Sequence, residues 1–470
     1  MTATAADSGV RPNWPTVQEY LDRDPNEVPA ALRYNRNDQD DPTDIPLEHY
    51  ISPEFARLEM EKMWYRVWQM ACFEYEVAKP GDHVVYDIGE RSYIIMRGED
   101  GKLRALVNVC LHRARRLRDF DGNVPELRCS YHGWTWNTDG SMKHLPCRWD
   151  FPQLKDEDLV LPEGKVDVWR GIVFMSPDPD AGPLSEFLEG FDEIFIWPIE
   201  DRVKVAHTRK IIPLNWKAAQ EAFMESYHVG ATHPQIATFN SDFNAQLDAT
   251  SDRPHWNRMI NMNGVASPDV ADFVDEQDIV VDYVQARDAY SAVEGRDITS
   301  AAGIPTVPEG GTARATLAAL IREQLHAFTG KDYSSYSESE LIDTIQHTIF
   351  PNFHPWGGMK SNACYRWRPS GLDPDSCIFE TFIVSEVPPG QERKRIPIRD
   401  VLPEEKFCEV PELGLLGPVY DQDLENMVTV QRGMKAKAAT MGKDKGLPLA
   451  QYQESRIRQI HQTLLKWIEK

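Results

Sequence analysis

The chain has 470 residues, of which 41% are hydrophobic and 27% are charged, and its formal net charge is −23. This length and composition predict a globular protein with at least two domains, and the negative charge disfavours nucleic acid and anionic membranes as partners. No apolar stretch is long enough to span a bilayer, residues 1–15 lack an apolar secretory core, and seven scattered cysteines do not indicate a disulfide framework. We therefore expect a cytoplasmic protein.

The first third of the chain predicts a small β domain preceded by an arm. Residues 1–45 are rich in Pro, Asp, Asn and Arg and predict an irregular arm, whereas residues 54–65 have the apolar spacing of a helix. Short alternating segments then follow one another, separated by glycines, at residues 83–88, 92–96, 103–109 and 172–175. This pattern predicts an antiparallel β module, and we assign residues 46–175 to it.

Two short clusters in loops of this module each combine a thiol with an imidazole. Cys110 and His112 form the first cluster, and after sixteen intervening residues Cys129 and His132 form the second. Two sulfur and two nitrogen ligands suit a Rieske-type [2Fe-2S] cluster, with the cysteines on one iron and the histidines on the other. A structural Cys2His2 zinc site is the alternative. Zinc fingers usually pair Cys with Cys and His with His, so the mixed order favours iron and sulfur.

The remaining residues, 176–470, follow a proline-rich boundary and alternate between strand and helix patterns. Strands are predicted at 203–212 and 379–385, and helices at 215–227, 420–437 and 456–469. Residues 240–345 form a long polar stretch, interpreted as an insertion that acts as a lid or pocket wall. It contains an amphipathic helix at 313–328, for which Gly330 is the predicted cap. The candidate pocket residues, in this stretch and immediately before it, are Phe239, Phe243, Trp256, Met259 and Met262.

His228 and His233 are candidate metal ligands in this second part. On a straight helix, two residues five positions apart point about 140° away from each other. They converge only if the helix loosens between them, which Gly230 and Pro234 would permit. By itself such a pair is as often a structural or surface feature as a ligand pair.

A carboxylate on the helix at 420–437 is the third candidate ligand. The residues that share one face of this helix are Tyr420, Asp423, Met427, Val430 and Met434. The pattern therefore predicts that Asp423 points inward with apolar neighbours, where it needs a cation, either an Arg or Lys side chain or a metal. The alternative is that this face of the helix is less buried than the pattern suggests. Asp421 faces the opposite side. With His228 and His233, Asp423 completes a two-histidine, one-carboxylate triad that leaves positions on a non-haem Fe(II) open for dioxygen.

The succession of these motifs resembles the α subunits of the Rieske non-haem iron oxygenases, the aromatic-ring-hydroxylating family, from about residue 45 to the C-terminus. The matching motifs are Cys-X-His and Cys-X2-His-Gly-Trp, Asn215-Trp216-Lys217, Tyr227-His228-X4-His233, Asp423-X2-Asn426 and Gln431-Arg432-Gly433. The resemblance implies an α+β fold in which an antiparallel β Rieske domain joins a helix-grip (START-like) catalytic domain with a curved antiparallel sheet. It also implies a [2Fe-2S] cluster, a mononuclear Fe(II) and dioxygen as co-substrate.

The function that this resemblance implies is that of a terminal oxygenase. Electrons from NAD(P)H would arrive through a reductase, with or without a ferredoxin, and dioxygen would hydroxylate an aromatic or other hydrophobic small molecule. The alternatives are a monooxygenase or demethylase acting on a non-aromatic or N- or O-methylated substrate, and a non-enzymatic Rieske electron carrier. The family also implies a homotrimer, with or without an additional β subunit.

In this family a carboxylate three residues before the first iron histidine bridges it to a Rieske histidine of the neighbouring subunit. That residue is usually Asp, and here it is Glu225. The implied electron route is His132 of one chain, Glu225 of the next, and then His228. The alternative is that Glu225 is a solvated helix residue. Glu at this position also occurs in members that hydroxylate or demethylate non-aromatic substrates.

Basic residues surround the Cys/His clusters in an otherwise acidic chain. They are Arg113, Arg115, Arg116, Arg118, Arg128, Lys143 and Arg148. A positive patch would steer an acidic electron donor. The alternative is that several of these side chains pair with Asp119, Asp121 or Glu126 at the surface.

Overall fold

The computed structural model describes residues 12–291, 303–360, 362–387, 390–414 and 416–469. Its α-helices are α1 (Val17–Leu21), α2 (Ala30–Arg33), α3 (Glu48–Ile51), α4 (Pro53–Glu59), α5 (Leu184–Phe187), α6 (Trp216–Glu221), α7 (Val229–Thr232), α8 (Glu276–Ser291), α9 (Ala313–Thr329), α10 (Glu338–Ile342), α11 (Leu416–Met441) and α12 (Ser455–Ile468). Its strands are β1 (Ile45–Pro46), β2 (Gln69–Phe73), β3 (Asp82–Ile88), β4 (Arg91–Arg97), β5 (Leu103–Val107), β6 (Gly122–Asn123), β7 (Leu127–Arg128), β8 (Thr135–Trp136), β9 (Met142–His144), β10 (Glu163–Trp169), β11 (Ile172–Ser176), β12 (Arg202–Ile212), β13 (Asn240–Asp248), β14 (Trp256–Asn263), β15 (Thr344–Ile349), β16 (Phe353–Pro355), β17 (Asn362–Pro369), β18 (Cys377–Glu386), β19 (Arg399–Asp400) and β20 (Gly446–Leu447). Within these ranges no helix combines the length and apolar character that crossing a membrane requires.

The first unit is the predicted antiparallel β module. Its main sheet has the order β2-β11-β10-β5-β4-β3-β6, and a three-stranded sheet, β7-β8-β9, lies beside it. Ile94, Met96, Leu106 and Trp136 bury their side chains in a core of their own between these strands. The loops before β6 and between β7 and β8 carry the two Cys/His clusters, so the small core supports both of them.

The second unit is a curved sheet covered by helices, which confirms the α+β prediction. The strand order is β13-β14-β15-β16-β17-β18-β12-β19, and the neighbours are antiparallel except for β12 and β19. Helix α11 packs on this sheet through Tyr420, whose ring lies 5.4 Å from that of Phe379 on β18. Phe223, Tyr365 and Trp367 complete the aromatic cluster. Its close packing positions the helix that carries Asp423 over the sheet.

The prediction of an insertion at 240–345 is wrong, because this stretch contains β13 and β14, which belong to the main sheet. Both strands are buried almost throughout, and they carry polar residues on both faces. A strand that is covered on both sides lacks the alternating pattern that would have revealed it. The helix at 313–328 is confirmed as α9, and Gly330 ends it with a φ of 71°. The helix at 215–227 is shorter than predicted and ends at Glu221.

The N-terminal arm is more regular than its composition predicts. Helix α1 buries Val17 and Leu21, and the guanidinium of Arg258 on β14 donates hydrogen bonds to the carbonyl groups of Ala31 and Tyr34. The described part of the arm is therefore attached to the curved sheet of the second unit. The predicted helix at 54–65 is present as α4, which continues into a π-helical turn at Met60–Trp64.

A buried network of charges joins the two units. Arg366 on β17 donates to the carbonyl groups of Met70 and Ala71 on β2, at 3.2 and 2.5 Å, and binds Glu380 through both Nε and Nη2 at 2.8 Å. Arg368 also contacts Glu380, at 3.0 Å. Glu380 is 1% exposed, so two arginines share one fully buried carboxylate where the units meet.

A lysine and a histidine extend this network toward the β module. Lys204 binds Glu76 at 2.5 Å and donates to Nδ1 of His207 at 3.1 Å. Because an ammonium group can only donate, Nδ1 accepts, and Nε2–H of His207 donates to Glu380. Burial and Lys204 lower the pKa of His207 to about 4, so this histidine is neutral near pH 7.

Candidate metal centres

Two similar tight turns present the Cys/His clusters. The backbone N–H of Ala114 donates to the carbonyl of Cys110, and that of Gly133 donates to the carbonyl of Cys129, both at 3.0 Å. Ala114 and Gly133 have φ angles of 58° and 77°, which allow the chain to reverse four residues after each cysteine. The two turns therefore place the thiols in equivalent positions, whereas the imidazole follows two residues after the cysteine in the first loop and three residues after it in the second.

The four predicted residues of the first site lie together at the edge of the β module. The thiols of Cys110 and Cys129 are buried, and Nδ1 of His112 lies 3.1 Å from Nδ1 of His132. Burial raises the pKa of the Cys110 thiol, and the contact with Cys129 raises it further. The His112 ring stacks on Trp134 at 5.0 Å. Two sulfurs on the inside and two imidazoles on the outside fit a cluster with different ligands on its two irons.

His228 and His233 converge because the helix between them is short. Helix α7 has four residues, His228 caps it, and His233 leaves it with φ −124° and ψ 54°. Pro234 explains this exit, because a residue before proline is kept out of the helical region. The predicted role of Gly230 is wrong: it is helical, and a Cβ there would lie 3.1 Å from Oδ2 of Asp242. Glycine permits close packing at this position, not loosening.

Asp423 points inward and meets both histidines. Its Oδ1 lies 2.8 Å from Nε2 of His233 and 3.4 Å from Nε2 of His228, and one potential ligand atom from each residue falls within 4.8 Å of the others. Asp423 and His233 are buried, at 5% and 2% exposure. Asp421 faces away, as predicted, and accepts the backbone N–H of Phe407 at 2.8 Å.

Each imidazole is oriented by an acceptor on its far side. Oε1 of Glu225 accepts the Nδ1–H of His228 at 2.5 Å, and Oε1 of Gln422 accepts the Nδ1–H of His233 at 2.9 Å. Both Nε2 atoms therefore face Asp423. Glu225 reaches His228 from the turn between α6 and α7, although the sequence predicted that Glu225 lies within a helix at 215–227. The sequence did not predict a role for Gln422. The one feature of the sequence that points to this residue is its position next to Asp423.

The electrostatics of this site favour a bound cation. Burial by itself lowers the pKa of His228, but the charge of Glu225 and the hydrogen bond to Asp423 raise it to about 10. Burial opposes ionisation of Asp423, yet hydrogen bonds from the two histidines hold its pKa below the usual range. Two carboxylates around two imidazoles thus stabilise positive charge, and a donor set of two nitrogens and one oxygen fits Fe(II).

The triad opens onto a cavity of about 270 Å³ between the sheet and α11. Of the five predicted pocket residues, Phe239 and Met259 line this cavity. Trp256 and Met262 instead belong to the hydrophobic core, and the Phe243 ring lies 6.2 Å from that of Trp14. Burial of apolar residues on both faces of these strands explains why the sequence does not distinguish core from cavity.

Several basic residues around the first site have acidic partners. Arg116 binds Asp87 at 3.1 Å, Lys143 binds Glu126 at 2.8 Å, and Arg148 lies 3.6 Å from Asp156. Arg115 and Arg116 also lie within 3.8 Å of Asp119, whereas Asp121 accepts a backbone N–H from Val85. The alternative of paired surface charges therefore holds for these residues.

Comparison with known proteins identifies both units. Residues 67–155 match the Rieske [2Fe-2S] domain, and residues 199–470 match the ring hydroxylating alpha subunit (catalytic domain). Chlorobenzene dioxygenase subunit alpha from Cupriavidus sp. (strain PS12) is 30% identical over 192 residues, which are 39% of this chain and 42% of that protein. The carnitine monooxygenase oxygenase subunit from Acinetobacter baumannii is 31% identical over 198 residues, 41% of this chain and 53% of that protein.

The same fold occurs among solved structures. The quaternary ammonium Rieske monooxygenase CntA superimposes with a TM-score of 0.61 and 18% identity, over 92% of this chain and 96% of that one. The chain spans about half the length of the curated relatives it matches.

The Rieske match decides between the two predicted metals in favour of the [2Fe-2S] cluster. Because the catalytic-domain match covers more than half of the sequence, the chain belongs to the α subunits of the Rieske non-haem iron oxygenases.

Proposed function

We propose that this chain is the terminal oxygenase of a multicomponent system and inserts oxygen from O2 into a small organic substrate. The observation that carries the proposal is the opening of the triad onto a cavity with apolar walls, among them Phe223, Ile236 and Leu413. A ferredoxin or an NAD(P)H-dependent reductase is the proposed electron donor. The proposed cluster ligands are Cys110, His112, Cys129 and His132, and the proposed iron ligands are His228, His233 and Asp423.

When bound, the cluster relays single electrons and the mononuclear iron activates dioxygen. The protein groups prepare the site for that chemistry. Glu225 and Gln422 hold the two imidazoles with Nε2 inward, and Asp423 supplies the negative charge. The rings of Phe223 and Tyr420 lie 5.9 Å apart beside the cavity, where they exclude water and leave an apolar surface for the substrate.

The proposed electron route crosses between subunits of a homotrimer. Support comes from exposed aromatic residues at both sites: Tyr131 and Trp149 are 54% and 80% exposed in the β module, and Tyr227 is 54% exposed beside Glu225. Exposed aromatic side chains at two separate sites suit a contact with another copy of the chain. His132 would then face Glu225 of the neighbouring subunit.

Replacing Glu225 with glutamine should slow electron transfer between the two metal sites without removing either metal. The amide keeps an acceptor for the Nδ1–H of His228 but loses the negative charge, and we expect the transfer to slow by about 10- to 100-fold. Rapid mixing of the reduced, substrate-bound protein with O2 would measure the rate of cluster oxidation in one turnover. An unchanged rate would contradict the role of Glu225 in this route.

Replacing Gln422 with leucine should weaken iron binding by about 10- to 100-fold, because the Nδ1–H of His233 loses its acceptor. Gln422→Glu keeps an acceptor and should retain the metal. Competition with a chelator would measure the affinity, and the visible absorbance of the cluster should not change. Gln235→Leu is the matched control, since Gln235 contacts Gln422 at 2.8 Å but is not bonded to the imidazole. Equal iron affinities for Gln422→Leu and Gln235→Leu would contradict the prediction.

Demethylation or monooxygenation of a non-aromatic substrate is the second proposed function. It is favoured by Glu225, which replaces the usual aspartate, and by the similarity to an enzyme named for carnitine. The primary proposal is hydroxylation of an aromatic or other hydrophobic substrate, in line with the similarity to chlorobenzene dioxygenase.

The test is a reconstituted assay under ¹⁸O2 with NAD(P)H, a ferredoxin and a reductase. The panel contains aromatic hydrocarbons, aromatic acids and N-methylated ammonium compounds. Labelled product supports the oxygenase; two atoms per product indicate dihydroxylation, whereas one atom or released formaldehyde indicates monooxygenation or demethylation. No labelled product from the whole panel, with both metals loaded and the cluster reducible, would overturn the proposal.

A further inference from the structure

The turn between α6 and α7 controls the orientation of the His228 imidazole. Glu225 lies in this turn and accepts two hydrogen bonds from His228, from the backbone N–H at 3.0 Å and from Nδ1–H at 2.5 Å. A displacement of the turn would therefore move the carboxylate and the imidazole together. The turn is not helical, so its own backbone bonds do not fix it as they would fix a residue within α6.

The residue before Glu225 depends on a distant side chain. Met224 is fully buried, and no backbone N–H among the described residues donates to its carbonyl group. Nη1 of Arg456, on α12, donates to this carbonyl at 3.0 Å. A buried carbonyl without a partner is unfavourable, so this guanidinium replaces the hydrogen bond that a continued helix would have supplied.

The guanidinium of Arg456 also binds two strands of the curved sheet. Its Nε donates to Oδ1 of Asn257 on β14 at 2.7 Å, and its Nη2 donates to Oγ1 of Thr348 on β15 at 2.8 Å. Arg456 is fully buried, and all three of its hydrogen-bond partners are neutral. By contrast, the buried Arg258 forms an ion pair with Asp248 at 2.7 Å. Arg456 therefore contributes the fixed geometry of a planar group, which connects the turn to the sheet at three points.

The charge of Arg456 also acts on the turn. Burial lowers the pKa of its guanidinium to about 9, and the negative charges of Asp248 and Glu225 oppose this decrease. The group thus keeps its positive charge near pH 7. Its attraction to Glu225 and its bond to the neighbouring carbonyl both favour the observed position of the turn.

We propose that Arg456 is a positioning residue for the mononuclear iron site: it holds the turn so that Glu225 can orient the His228 imidazole. This inference rests on the proposed oxygenase function, because His228 is a proposed iron ligand and Glu225 lies on the proposed electron route. Groups that orient a metal ligand affect metal affinity or activity by about 10- to 100-fold although they do not touch the metal.

The test replaces Arg456 with methionine, which keeps the length of the side chain and removes its donors and its charge. Nitric oxide is added to the ferrous protein as a probe of the mononuclear site. The paramagnetic resonance spectrum of this complex should show a changed splitting, because the splitting reports the arrangement of ligands, whereas the signal of the reduced cluster should not change. Cluster oxidation in a single turnover should slow by about tenfold. Arg456→Lys keeps the charge and one donor group, so it should produce smaller changes in both measurements.

Arg458 provides the matched control on the same helix. It is 1% exposed, and it donates to the carbonyl groups of Thr43 and Leu449, at 2.9 and 3.0 Å. Arg456→Met and Arg458→Met should both lower the unfolding temperature, but only Arg456→Met should change the nitric oxide spectrum. An unchanged spectrum in Arg456→Met, or the same change in Arg458→Met, would overturn the proposal. If Arg456→Met does not fold, Arg456→Lys is compared with the unaltered protein, and an unchanged spectrum would again overturn it.

These measurements separate the role of Arg456 from the proposed function. The nitric oxide spectrum needs neither O2 nor electrons from the cluster, so it stays decisive if the labelled-oxygen test yields no product. If Glu225→Gln slows the transfer and Arg456→Met does not, the positioning role is overturned. If neither variant slows the transfer, the electron route fails and the spectrum alone decides about Arg456. Absence of iron from the triad of the unaltered protein would overturn both proposals.

Discussion

Replacing Asp423 with alanine should remove the mononuclear iron and abolish oxygenation while the [2Fe-2S] cluster stays intact. Asp423 is the only carboxylate in the metal-binding group found among the described residues, and its Oδ1 lies 2.8 and 3.4 Å from the two imidazoles. Without it, two neutral imidazoles hold Fe(II) weakly, and the site loses the charge that favours a cation. We expect product formation to fall by more than about 100-fold.

Metal analysis and spectroscopy measure this result separately at the two centres. The variant should lose the iron that is not part of the cluster, and its visible absorbance and the paramagnetic resonance signal of the reduced cluster should match those of the unaltered protein. Asp421→Ala is the control, because Asp421 lies on the same helix but binds the backbone N–H groups of Phe407 and Cys408. It should retain iron. Full iron occupancy in Asp423→Ala would refute the triad.

Replacing Glu380 with glutamine should lower the free energy of unfolding by about 3–5 kcal/mol, because two buried arginines lose their common counter-charge. Arg366 and Arg368 both bind Glu380, and Arg366 also holds two carbonyl groups of β2. The loss of this counter-charge should therefore also weaken the attachment of the β module to the curved sheet of the second unit. Urea unfolding followed by fluorescence measures the stability, and cluster absorbance reports the β module.

The pH dependence follows from the pKa of Glu380. Burial would raise it, but Arg366 and Arg368 hold the folded-state pKa well below the ordinary value of 4.5. A depressed pKa stabilises the folded protein fully above about pH 4.5, and this contribution is lost as the pH falls toward the folded-state pKa. The stability difference between the two proteins should thus be constant from about pH 6 to pH 8 and shrink below about pH 4.5.

A surface ion pair provides the control for this network. Asp400 is 60% exposed and binds Arg209 at 2.6 Å, so Asp400→Asn should change the free energy of unfolding by less than about 1 kcal/mol. If Glu380→Gln has an equally small effect, the buried network does not contribute to the attachment of the two units.

Local sequence patterns predicted the metal-binding motifs well, because the ability to bind a metal depends on the types of the residues and on the short spacings between them. The mixed Cys/His pairs required no knowledge of distant contacts, and the periodicity of the helix at 420–437 distinguished Asp423 from Asp421. The structure brings each set of residues together. Their roles as ligands stay a proposal that the metal analysis above tests.

Contacts between distant segments were much less predictable. Strands β13 and β14 escaped prediction because burial on both faces removes the period of two, and Gln422 has no pattern that links it to His233, 189 positions earlier.

The sequence by itself therefore determined which side chains are the candidate metal ligands and limited the first site to zinc or a [2Fe-2S] cluster, since donor type, spacing and helical periodicity are local properties. Only the tertiary structure decided how the imidazoles are oriented, what faces the cavity and how the two units are joined. These features depend on side chains from segments far apart in the chain, and the energy of a buried hydrogen bond or charge depends on partners that folding alone brings within reach.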